Sequence, residues 1–114
     1  MRRGEVWLIN LDPTVGAEIK KTRPAVIVND DAVGILPLKV IVPITEWKDR
    51  YAVAPWMVRL ESDAESSLDK PSAADAFQVR SVAQERFVRR LGKLSDGAMR
   101  EITTALAVVL SIES

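Results

Sequence analysis

Within its first 45 residues the chain carries three short apolar runs rich in β-branched residues: EVWLIN at 5–10, PAVIVN at 24–29 and LKVIVPIT at 38–45. Each is shorter than the roughly 10–12 residues a buried helix needs, and Gly, Pro, Asn or Asp stands at or near most of their ends. Short β-rich runs with turn residues between them commit a chain to strands. Pro43 lies inside the third run and has no N–H to give to a ladder, so that strand is expected at a sheet edge or with a bulge.

The remaining elements follow from local pattern. Residues 11–22, with Pro13 and Gly16, read as a loop, and it is long for a hairpin connection. Asn29, Asp30, Asp31 and Gly34 supply turn chemistry before the third strand. A polar loop dotted with aromatics spans 46–55, a fourth strand 56–60, and an acidic, serine-rich irregular stretch 62–72. Alternation over 76–82 predicts a fifth strand, 83–86 one helical turn, and 88–94 a short basic strand broken by Gly92. Ser95 is a good N-cap, and Met99, Ile102, Leu106, Val109 and Leu110 recur at helical spacing behind it. The final VVLSIES is expected to continue that amphipathic helix as core. The predicted class is mainly β with α, a small twisted antiparallel sheet or barrel closed by a carboxy-terminal helix. Residues 1–114 are read as one domain, large enough to bury a core without staples.

Composition narrows the chemistry. The chain has no cysteine and no histidine, and 16 basic residues balance 16 acidic ones. Thiolate or imidazole ligands and nucleophiles are excluded, which leaves carboxylates, hydroxyls, Lys and Arg. Zero net charge argues against sequence-blind nucleic-acid binding. The charges are clustered, however: Lys20, Lys21 and Arg23; Arg86, Arg89, Arg90 and Lys93; and, opposed to them, Glu61, Asp63, Glu65 and Asp69. Such clusters are either solvated faces or a local basic groove. Met1-Arg2-Arg3 is not followed by a signal-peptide core, and no window is long and apolar enough to span a bilayer. A cytoplasmic protein without membrane contact is expected.

Two stretches concentrate reactive side chains, DPTVGAEIKKTRPAVIVND at 12–31 and VIVPIT at 40–45. Pro24 biases Arg23 toward extended backbone, and a planar guanidinium held that way suits a phosphate. An exposed arginine paired with Glu18 or Asp12 would account for the same residue. The Thr45 hydroxyl has two readings as well, a phosphate donor or a strand cap. Adjacent antiparallel strands would place the start of the second run beside the end of the third, bringing Arg23 and Thr45 together.

The order of motifs RGEVWLINLDPTVGAEIKKTRPAVIVND, VIVPIT, LDKPSAADAFQVRSV and RLGKLS resembles the MazF/PemK family of toxin endoribonucleases over nearly the whole chain. That resemblance implies an SH3-like β-barrel that forms a homodimer, cleaves single-stranded RNA at short sequences without a cofactor, and is neutralised by a cognate antitoxin protein. The family's R-P arginine matches Arg23, its strand-end threonine Thr45 and its loop glutamate Glu18, the three expected catalytic residues. Gln78 and Arg80 match its glutamine–arginine strand and are expected RNA contacts, with Lys20, Lys21 and Trp47. Tyr51 and Trp56 bracket the same loop as Trp47, where bases could stack, whereas Trp7 reads as core. The expected reaction is attack of a ribose 2′-hydroxyl on its own 3′-phosphate, with no metal. Two departures stand out. The first loop lacks the histidine of some members, and Phe77 occupies a position that several fill with an acid, Asp75 being nearby but offset. The principal rival is a non-catalytic toxin of the same fold that binds a protein such as DNA gyrase through its carboxy terminus.

Overall fold

The computed structural model describes residues 1–33 and 36–113, so the turn expected at Gly34 lies outside the described residues. Strands β1 (Glu5–Asn10), β2 (Thr22–Ile27), β3 (Leu38–Glu46), β4 (Met57–Leu60), β5 (Ser72–Asp75), β6 (Arg80–Ala83) and β7 (Phe87–Lys93) precede one helix, α1 (Asp96–Leu110). They form one antiparallel sheet in the order β4-β5-β3-β2-β1-β7, with β6 also paired to β3. The chain is mainly β with a carboxy-terminal helix, as expected. Among the described residues β4 and β7 end the sheet without pairing to each other, so the barrel stays open.

Pro43 occupies neither an edge nor a bulge of its own strand, because β3 has neighbours on both sides. The Val28 N–H donates to the Val40 carbonyl at 2.9 Å, and hydrogen-bonded pairs alternate along an antiparallel ladder. Val26 and Val42 therefore form a bonded pair, and Pro43, opposite Ala25, turns its nitrogen away from β2. On that other side β3 changes partner, from β6 through Ile41 to β5 from Ile44 onward. Residues 75–79 leave the ladder there, with a 3₁₀ turn at Ala76–Gln78, and no donor is missed. Pro24 acts on the opposite flank. The same alternation makes it the next bonding position toward Ile44, and it has no N–H to offer, so the β2–β3 ladder stops at Ala25–Pro43.

The sheet buries apolar residues on both faces. Val6, Val26, Val42 and Ile44 pack with Ile102 and Ala105 of α1, while Ile9, Leu11, Ala25, Ile27 and Ile41 form a second cluster covered by Ile19 and Phe87. Ser95 caps α1 by accepting the Ala98 N–H at 3.1 Å. The carboxy terminus is not core. Only one stripe of the helix meets the sheet, so Val108, Leu110 and Ile112 stay exposed, and Ser111 ends the helix in the left-handed region. Gly92 does not break β7, which runs through it to Lys93. The turn around Glu65 crosses it so closely that a Cβ there would overlap the Glu65 carbonyl, and the Lys93 N–H donates to that carbonyl at 3.0 Å.

Candidate active site

Odd-numbered residues of β3 face away from α1, which puts Ile41, Pro43 and Thr45 on one side of the sheet. Extending the Ala25–Pro43 register by one pleat sets Arg23 across from Thr45 on that face. The two residues flank the fork left where Pro24 ends the ladder. Arg23 is exposed, and its Nε donates to the Lys20 carbonyl at 3.3 Å. Ion pairs among the described residues do not include it. The two acids that might have paired with it make backbone contacts instead: Glu18 Oε1 accepts the Val15 N–H at 2.6 Å, and Asp12 Oδ1 accepts the Lys21 N–H at 3.0 Å. Thr45 is half-buried and lies inside β3, which runs one residue further to Glu46, so it does not cap the strand.

Glu18, Gln78 and Arg80 meet in an open cleft of about 470 Å³, floored by Pro43 and walled by Ile19 and Phe77. Gln78 lies on the 3₁₀ turn, not on a strand, and both ends of its amide are engaged: Oε1 accepts the Ile19 N–H at 2.6 Å and Nε2 donates to the Ala17 carbonyl at 3.2 Å. The Arg80 guanidinium donates to the Leu11 carbonyl at 3.3 Å. These two side chains hold the first loop to the sheet. Lys20 and Lys21 are exposed on that loop, Lys21 in the left-handed region at φ 71°.

The aromatic loop carries a third group, of which Trp56 packs against the core cluster that includes α1. It contains a 3₁₀ turn at Asp49–Val53. Trp47 is half-buried against Tyr51, with ring centroids 5.9 Å apart in a T-shaped pair, and its indole N–H is buried without a partner. Trp56 pairs with Phe77 at 5.8 Å. Trp7 contacts Phe87 at 5.5 Å and donates to Glu5 at 3.0 Å, consistent with a packing role.

A family model described as the PemK-like, MazF-like toxin of type II toxin–antitoxin systems matches residues 2–110. The chain belongs to this family. It is 34% identical to endoribonuclease MazF9 of Mycobacterium tuberculosis over 120 residues, covering 100% of this chain and 99% of that protein. It is 32% identical to endoribonuclease MazF of Staphylococcus saprophyticus over 114 residues, covering 100% and 94%. The fold is similar to that of MazF from Deinococcus radiodurans, with a TM-score of 0.81 at 21% identity over 98% and 97% of the two chains. It is also similar to a mycobacterial endoribonuclease solved with its cognate antitoxin, with a TM-score of 0.79 at 20% identity over 100% and 98%.

Within this family frame, Asp75 has a place that its offset from the motif concealed. It is buried on β5, on the same face as Thr45, and caps the 3₁₀ turn by accepting the Phe77 N–H at 3.1 Å. Burial pushes its carboxyl above the usual aspartate range, against the opposing pull of hydrogen bonds from Phe77 and Gln78. The available sequence signal was an acid followed two residues later by an exposed apolar position, a spacing that suits an Asx-type turn.

Proposed function

We propose that this chain is a toxin endoribonuclease that cleaves single-stranded RNA at short sequences, without a metal or cofactor, and is held in check by a cognate antitoxin protein. What supports the site assignment is the Ala25–Pro43 register, which, continued two residues past the end of the ladder, brings Arg23 toward Thr45 in a chain of the MazF-like family. Arg23 binds the scissile phosphate and stabilises charge developing on its oxygens, and the Thr45 hydroxyl donates to the same phosphate. The 2′-oxygen attacks phosphorus and the bond from phosphorus to the 5′-oxygen breaks. The products are a 2′,3′-cyclic phosphate and a 5′-hydroxyl that takes up the proton. Glu18 is the candidate base, and in that role it exchanges the Val15 N–H for the 2′-hydroxyl. Exposed Lys20 and Lys21 on the first loop attract the RNA backbone.

No helix among the described residues is long and apolar enough to cross a membrane, and an RNA substrate favours a cytoplasmic location. A homodimer is supported by exposed Val108, Leu110 and Ile112 at the end of α1. The same residues are what a gyrase-binding toxin would use, so activity must decide between the two. Purified protein incubated with a defined long RNA is expected to cut at a short recurring sequence, leaving cyclic phosphate ends, in EDTA as in buffer. Substrates with 2′-deoxy at the cut resist it. Arg23→Ala is expected to lower the rate about a hundred- to a thousand-fold, with thermal stability unchanged because the side chain is exposed. Loss of cutting in EDTA, or full activity in Arg23→Ala, would overturn the assignment.

A further inference from the structure

The registers that join β4, β5, β3 and β2 line up one transverse row of side chains. Arg59 is opposite Ala73, Ala73 is opposite Thr45, and the β2–β3 register continued by one pleat sets Arg23 beyond Thr45. Residues directly opposite one another in an antiparallel sheet share a face. Arg23 and Arg59 therefore flank Thr45 on the same surface, and the only side chain between Thr45 and Arg59 in the row is a methyl group. Two strand spacings, about 10 Å, separate the Thr45 and Arg59 backbones, a distance that an extended arginine spans in part.

Arg59 is built to stay on that surface. Its guanidinium carbon lies 5.1 Å from the centre of the Trp47 ring, the geometry of a cation–π contact. Tyr51 holds the Trp47 ring from its edge. The Arg59 Nε donates to Glu61 at 2.8 Å, with side-chain exposures of 45% and 71%. An ion pair that open is worth little and gives way to a stronger anion. The Trp47 ring holds the guanidinium beside it while the side chain stays partly open to solvent.

We propose that Arg59 binds the RNA phosphate adjacent to the scissile one, with Trp47 as its platform and Glu61 as the group it releases on binding. This rests on the assignment of the scissile phosphate to Arg23 and Thr45. The row supplies two guanidinium sites on one face, one on each side of Thr45, which suits two successive phosphates of a single strand. Arg59 thereby orients the strand across the cut, while the bases are left to other groups to read.

The test uses the full-length protein and an oligoribonucleotide containing its mapped cut site, with 2′-deoxy at the cut to block cleavage. Charge is removed from one phosphate at a time by methylphosphonate substitution. Neutralising one of the two phosphates next to the cut is expected to weaken wild-type binding about tenfold. In Arg59→Ala the overall affinity falls by a similar factor, and that substitution then has no further effect. Glu61→Gln is expected to tighten binding a few-fold, and to lose the gain when the same phosphate is neutral. If Arg59→Ala remains as sensitive to every methylphosphonate as the wild type, the proposal is wrong. Loss of wild-type cutting on the all-ribose oligonucleotide in EDTA would instead strike the underlying function.

Discussion

Gln78 grips the backbone of Ile19, its Oε1 accepting the Ile19 N–H at 2.6 Å across 59 residues of sequence. With the second bond to Ala17, this makes one side chain the fastener of the loop that carries Glu18, Lys20 and Lys21.

Removing the fastener has a measurable cost. Each hydrogen bond contributes roughly 0.5–1.5 kcal/mol, so Gln78→Ala is expected to lower the unfolding free energy by about 1–2 kcal/mol. It also exposes the Ile19 N–H. Amide hydrogen exchange at Ile19 should accelerate while exchange in β3 stays slow, and RNA cleavage should fall with it. Unchanged protection at Ile19 would show that the loop is held by other contacts.

Asp75 gives stability a pH dependence of unusual sign for an aspartate. Its folded-state carboxyl titrates above the ordinary value of 3.8 because burial disfavours the charge. The folded chain then holds its proton more firmly than the unfolded chain does, so this group's contribution is fully present below pH 3.8 and is lost as pH rises through the folded value. Asp75→Asn keeps an acceptor for the Phe77 N–H and removes the buried charge. It is expected to raise the melting temperature near pH 7, with the advantage over wild type disappearing below about pH 4. A variant less stable than wild type at neutral pH would mean that the charged hydrogen bonds outweigh burial.

Gly92 is the point where β7 passes beneath the Glu65 turn. Because a Cβ would overlap backbone, not a movable side chain, Gly92→Ala is expected to destabilise by about 1–3 kcal/mol, near the upper end. The midpoint of chemical denaturation should fall with little change in slope. A midpoint equal to that of wild type would indicate that the turn moves aside freely.

The sequence exposes those parts of the fold whose residues state their own preference. β1 is found at its observed limits, and α1 starts at the cap that Ser95 provides. β5 was hidden because Ser, Ala, Ala and Asp have little intrinsic strand tendency. They form a strand because small residues fit between β3 and β4, where all four are buried. The run at 76–82 alternates like a strand, yet Asp75 caps its first half into a 3₁₀ turn, and only Arg80–Ala83 pairs with β3. β2 starts two residues before the run at 24–29, since Thr22 and Arg23 pair with β1 whatever their polarity. At the candidate site, Arg23 and Thr45 were visible as chemistry, while their apposition depends on a register that no local pattern encodes. Arg59 carried no signal at all, because its place comes from three strand pairings in succession.

The fork between β2 and β3 exists because Pro24 has no N–H to offer toward β3. Strands that cannot zip further have no closed form to be pried from. The gap beside Arg23 and Thr45 is therefore open before any nucleic acid arrives, and the binding free energy of an RNA strand is not diverted into parting backbone. Preorganisation of this kind comes from what the chain lacks, which makes Pro24 as much a part of the site as the arginine it follows.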